Sequence, residues 1–107
     1  MVELSPLTRQ HVAALFAPAD VAAAEELLHS ECAENLPLPP GRPTPVGLER
    51  VRFAALRLSE GSLSRLIDAI ALAQTDWRDL LVAADFADDA YAHLDWRPVA
   101  SARLTEG

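Results

Sequence analysis

The sequence predicts an all-α domain, and three observations carry that expectation. Of its 107 residues 50% are apolar, and Ala with Leu accounts for 37 of them against nine for Val with Ile. Ala and Leu are strong helix formers, whereas β-branched residues favour strands. Apolar residues also recur three and four apart in successive segments, with no convincing period-two run. Finally, helix-start signals stand before those segments, at Ser5-Pro6, Thr44-Pro45 and Ser62. Domains run to roughly 100–150 residues, so one core is expected. The expected organisation is a single helical domain over residues 1–97 and a frayed tail over 98–107.

Taken in order, Ser5 reads as an N-cap with Pro6 at the first helical position, opening a short helix to about Ala17. Pro18 restarts the chain, and Asp20 in the new first turn suits the helix dipole. A second helix runs to about Ala33 with Val21, Ala24, Leu28 and Cys32 on one stripe, while Glu26, His29 and Glu34 lie on the other face. Five of the eight prolines fall between Pro37 and Pro45. Proline fixes φ and lacks an amide donor, so residues 34–46 form an extended, proline-rich crossover.

Thr44-Pro45 opens a third helix that puts Leu48, Val51, Ala55 and Leu58 on one face and Arg50 with Arg57 opposite. Arg52 stands at the edge of the apolar face, where its stem packs and its head reaches out. Gly61 follows as the left-handed residue past the helix end. Ser62 caps a fourth helix whose Leu63, Leu66, Ile67 and Ile70 make the most apolar stripe, so this helix is expected at the centre. Leu72 points away from that stripe. Thr75 or Asp76 caps a further segment with Trp77, Leu80, Leu81 and Ala84 inward, and Asp88 caps a last turn holding Tyr91 and Leu94. The expected whole is a compact bundle of four main helices plus a short C-terminal helix, joined through the proline-rich loop.

The residue inventory excludes several chemistries. All nine basic residues are Arg, so there is no lysine for a Schiff base or a phosphate loop. Glycine occurs only at 41, 47, 61 and 107, which rules out G-x-G-x-x-G and its relatives. Cys32 is the single cysteine, so no internal disulfide, C-x-x-C pair or four-thiolate metal site can form within one chain. The start, Met1 to Pro6, lacks the basic and apolar stretches of a signal peptide, and a cytoplasmic address is expected. No window approaches the roughly 18 apolar residues of a membrane span. The net charge of −7 is spread unevenly. The Arg-rich stretch 42–65 is basic and the flanking stretches are acidic, which argues against general nucleic-acid binding.

Several constellations carry candidate chemistry. Glu26-x-x-His29 puts a carboxylate and an imidazole on one helix face, as di-iron bundles do; completing such a site requires a dimer and an acid such as Glu49 or Asp68. Asp85, Asp88 and Asp89, with His93 and Asp95, form the densest acidic cluster and offer oxygens to a hard cation. Helix capping and solubility explain those acids more simply, and no D-x-D-x-D-G loop is present. His29 lies three residues from Cys32, the spacing of an activated thiol, but Cys32 falls on the apolar stripe and reads as a buried hydrophobe. Pro37-x-x-Pro40-x-Arg42 has the form of an SH3 ligand but reads more simply as a stiff connector. The helix–Gly61–helix corner has the form of a helix-turn-helix, with Ser64, Arg65 and Asp68 as a thin reading surface. Arg50, Arg57 and Arg65 are expected to pair with Glu25, Glu31 and Glu34 of the second helix.

The segment Glu31-Cys32-Ala33-Glu34-Asn35-Leu36-Pro37, with Leu58-Ser59-Glu60-Gly61 and the run Asp76-Trp77-Arg78-Asp79-Leu80-Leu81-Val82-Ala83-Ala84, resembles short uncharacterised bacterial proteins of about this length. That resemblance implies a small helical domain. It brings no assigned activity, cofactor or catalytic residue.

No catalytic or cofactor constellation emerges, so the chain reads as a small non-enzymatic cytoplasmic module, an adaptor or regulator acting through a protein partner or self-association, with no cofactor. Candidate contact residues are Leu72, Trp96, Arg50 and Arg57, because aromatics and Arg are enriched at interfaces. The alternatives are a dimeric metal-binding protein built on Glu26 and His29, and a DNA-binding regulator.

Overall fold

The computed structural model describes residues 4–32, 45–88 and 91–98. Within them lie α1 (Pro6–Leu15), α2 (Pro18–Glu31), α3 (Pro45–Ser59) and α4 (Leu63–Ala83), followed by a 3-10 turn (Ala92–Asp95). No strand occurs among the described residues, and the fold is all-α. Thr44, the crossover as far as residue 44, Asp89 and the tail from residue 99 lie outside the described residues.

The helix starts follow from local chemistry. Ser5 keeps an extended backbone (φ −69°, ψ 157°), and its Oγ accepts the Thr8 amide at 3.1 Å, satisfying one of the amides left without an intrahelical partner. Pro6 and Pro18 occupy first-turn positions, where the missing N–H costs nothing. Ser62 Oγ accepts the Arg65 amide at 3.3 Å to open α4.

The fourth and fifth helical segments expected from the sequence are one element with a break in it. Asp76 is non-helical (φ −156°, ψ 93°), and its Oδ1 accepts the amides of Arg78 at 3.1 Å and Asp79 at 3.4 Å. The residue thus caps the second half of α4 from within the helix. At its far end the Phe86 amide donates to the Leu81 carbonyl, the Asp85 amide donates to Val82, and Asp85 is left-handed (φ +66°). This is a Schellman motif with aspartate where glycine is usual, closed by the buried Phe86 ring.

The centre of the fold is α3, not α4 as the apolar stripe suggested. Six consecutive residues, Val51 to Leu56, are buried, so over that stretch the helix is covered on all sides. It packs against α1, α4 and the 3-10 turn, while α2 bridges α1 and α4. One of the six is Arg52. Its head does not reach out: the residue is 2% exposed, and Nε donates to the Cys32 carbonyl at 3.0 Å. Gln74 Nε2 donates to the neighbouring Glu31 carbonyl at 2.8 Å. The last carbonyls of α2 have no intrahelical donors, so α3 and α4 each supply one.

Gly61 sits at φ +85°, and a Cβ built there would lie 2.4 Å from the Leu15 carbonyl oxygen. The α3–α4 corner therefore presses directly on the end of α1. Among the described residues no helix is long and apolar enough to cross a membrane.

Candidate functional site

The metal candidates do not converge. Glu26 is exposed and His29 half-buried, and they share a cleft of about 240 Å3 with Leu4, Arg9, Ala22 and Glu25 between α1 and α2. Of the acids expected to complete such a site, Glu49 bonds elsewhere and Asp68 is exposed on α4. Asp85 serves the Schellman turn and Asp88 is exposed. Among the described residues no three His, Cys, Asp or Glu side chains are placed to hold a metal ion. Cys32 is fully buried, and burial pushes its thiol up to about 12, with the Arg52 charge opposing that shift. A thiol buried and held neutral in this way is a poor nucleophile at neutral pH.

The candidate contact residues are distributed over the fold. Leu72, Trp77 and Trp96 are partly buried and pack against the core. Arg50 Nη1 donates to the Phe86 carbonyl at 3.4 Å, and the Arg57 guanidinium lies 5.2 Å from the centre of the Phe86 ring. Arg65 pairs with Glu60 at 3.1 Å on the surface. That pairing takes up the cation of the thin DNA-reading surface, and the exposed side of α4 also carries Asp68, Asp76 and Asp79.

A buried polar cluster joins residues far apart in sequence. Glu49 accepts from Ser5 Oγ at 2.6 Å through Oε2, and its Oε1 lies 3.0 Å from His93 Nε2. His93 is fully buried; the carboxylate needs a donor, which assigns the imidazole proton to Nε2. His11 packs 4.7 Å from Phe53 and 5.3 Å from Trp96, and Phe53 meets His93 on another edge at 5.1 Å. Burial and the Arg97 charge hold the His11 pKa below its ordinary value, against Glu49 and the Trp96 backbone, which raise it. His11 Nε2 and His93 Nδ1 are buried with no hydrogen-bond partner among the described residues. The order of groups excludes a hydrolytic triad. Serine bonds the carboxylate, whereas a triad needs serine on the imidazole. The cluster holds α1, α3 and the 3-10 turn together.

A further groove lies between α2 and α4. Leu27, Ser30 and Glu31 form one wall and Ile67, Ile70, Ala71 and Gln74 the other, enclosing a groove of about 440 Å3. Ile67 is 52% exposed at this groove, which corrects its expected place in the core stripe. Leu66 and Ile70 turn inward, and Ile67 lies about 100° round the helix from Leu66. Sequence periodicity had blurred two adjacent faces into one. Comparison with known proteins finds no matching family, no similar curated protein and no similar solved structure.

Proposed function

We propose that this chain is a small non-enzymatic helical module that acts through protein contacts, with the α2–α4 groove as its contact surface. The observation that carries the reading is Ile67, a large apolar side chain left half-exposed on a groove whose other apolar members are Leu27, Ile70 and Ala71. Concave sites of about 300–1,000 Å3 with mainly apolar walls are the usual form of binding sites, and this groove falls in that range. The adaptor or regulator role extends from that surface. A reducing cytoplasmic setting suits the lone buried thiol of Cys32.

A photo-activatable cross-linker attached through I67C tests the reading, with A13C on the exposed side of α1 as the control position. The buried Cys32 leaves thiol attachment selective for the introduced site. Cross-links to polypeptide that form at position 67 and not at position 13 are expected. Equal labelling at both positions, or none at 67, overturns the proposal.

A further inference from the structure

We infer that the segment at residues 91–98 is an acid-released clasp, docked across α1 and α3 while His11 is neutral and let go when His11 takes up a proton. The inference is independent of the α2–α4 groove and rests on how Trp96 is seated. Its indole stands among three rings, with centres 5.3 Å from His11 of α1, 5.9 Å from Phe53 of α3 and 6.1 Å from Phe86 beyond α4. The His11 ring bonds to the Trp96 backbone, and its Nε2 is buried with no hydrogen-bond partner among the described residues. A neutral ring leaves only an unpaired acceptor there. A protonated ring puts a charged N–H donor where no acceptor stands, and burying such a charge costs far more.

Among the described residues, the charges acting on His11 are Arg97, on the clasp itself, and Glu49 of α3. Arg97 opposes a second positive charge and Glu49 favours one. Glu49 is already engaged, accepting from Ser5 Oγ at 2.6 Å and lying 3.0 Å from Nε2 of His93, the other titratable ring of the clasp. Burial is the largest influence and acts with Arg97, so the docked ring resists the proton. Undocking relieves both at once, because the segment carries away Arg97 and the indole that covers the imidazole.

The clasp is also the element most easily lost. Its one regular piece is the 3-10 turn Ala92–Asp95, which has no side-chain cap and packs on α3. So short a turn has little stability of its own, whereas the four helices pack on one another without it. Release therefore precedes unfolding of the helices, and it bares the faces of Phe53 and Phe86, both buried while the clasp is docked. The direction in pH follows from the docked ring having its pKa below the ordinary 6.5, which a released ring recovers. Docking is at full strength above 6.5 and weakens as the pH falls below it. Its His11 contribution is gone once the pH is under the docked value.

The test uses the full chain carrying W77F, which leaves Trp96 as the single indole. Trp96 emission and far-ultraviolet circular dichroism are followed from about pH 8 to pH 4. A reversible red shift that begins below 6.5 is expected, with helix content unchanged over the same range. The W96F chain, with Trp77 alone, should show no such shift. H11F and H11Q, neither of which titrates, should each abolish it in the W77F background. Proton NMR of the histidine rings gives the same answer without a substitution at His11, whose resonances should titrate together with the emission shift. An emission shift that coincides with helix loss overturns the inference, because no separate clasp then exists. A shift that survives in H11F and H11Q, or that follows the His93 resonances and not those of His11, overturns His11 as the trigger. No shift at all shows that docking is indifferent to the His11 proton, and overturns it too.

Discussion

Arg52 Nε donates to the Cys32 carbonyl in the interior, at 3.0 Å, so a residue of α3 closes the C-terminal end of α2. The guanidinium stands at the negative pole of the α2 dipole, and the same charge opposes the rise of the Cys32 pKa. Replacing the side chain removes a charge-assisted donor and empties the volume of its stem. R52A should therefore destabilise the fold by about 2–4 kcal/mol in urea denaturation. R52K keeps a charge but not the position of Nε and should fall between the two. A loss below about 1 kcal/mol for R52A would mean that α2 is held by other contacts.

Two left-handed residues predict effects of opposite sign. Gly61, at φ +85°, has the Leu15 carbonyl oxygen where a Cβ would go, so G61A should cost at least about 2 kcal/mol. Asp85, at φ +66°, adopts its conformation with a side chain that glycine would not carry. D85G should raise stability by about 0.5–1 kcal/mol. Thermal denaturation of the two variants checks both signs, and a destabilised D85G would show that the aspartate side chain has a role the backbone does not explain.

The pH dependence of stability has a definite direction at His11. Its pKa in the folded protein is depressed below the ordinary 6.5, chiefly by burial. Between the depressed value and 6.5 the unfolded chain binds the extra proton, so acid favours unfolding there. The stabilising contribution is complete above 6.5 and is lost as the pH falls through the folded-state value. H11F removes this proton. Stability profiles from about pH 8 to pH 4 should show the wild type declining relative to H11F as acid is added. Parallel profiles would refute the assignment.

Cys32 should be chemically silent while the protein is folded. With the thiol fully buried and pushed up to about 12, the thiolate is scarce and inaccessible. A colourimetric disulfide reagent at mildly alkaline pH should label the native protein only through unfolding, and label fully and at once in denaturant. Rapid native labelling would place the thiol at the surface.

Local grammar made much of the fold readable. Ser5-Pro6, Pro18 and Ser62 start helices because capping and first-turn chemistry depends on adjacent residues, and Asp76 restarts one for the same reason. Burial of Arg52 was not readable. It depends on a carbonyl twenty residues away in sequence, and periodicity alone places an arginine on the outside. The Glu49 cluster was hidden likewise, since Ser5 and His93 each lie 44 residues from Glu49. At the groove, Ile67 and Leu66 are neighbours in sequence and both apolar, and only the packing of α4 separates the inward residue from the outward one.

The two oxygens of Glu49 have a consequence for how the molecule opens. One holds the cap of α1 at Ser5 and the other holds the 3-10 turn at His93. Ends of helices ordinarily fray independently, each with its own small opening free energy. Here release of either partner leaves the carboxylate incompletely bonded and weakens its hold on the other. The first turn of α1 and the turn at residues 92–95 should therefore breathe together, with amide protons exchanging as one cooperative unit although most of the chain separates them.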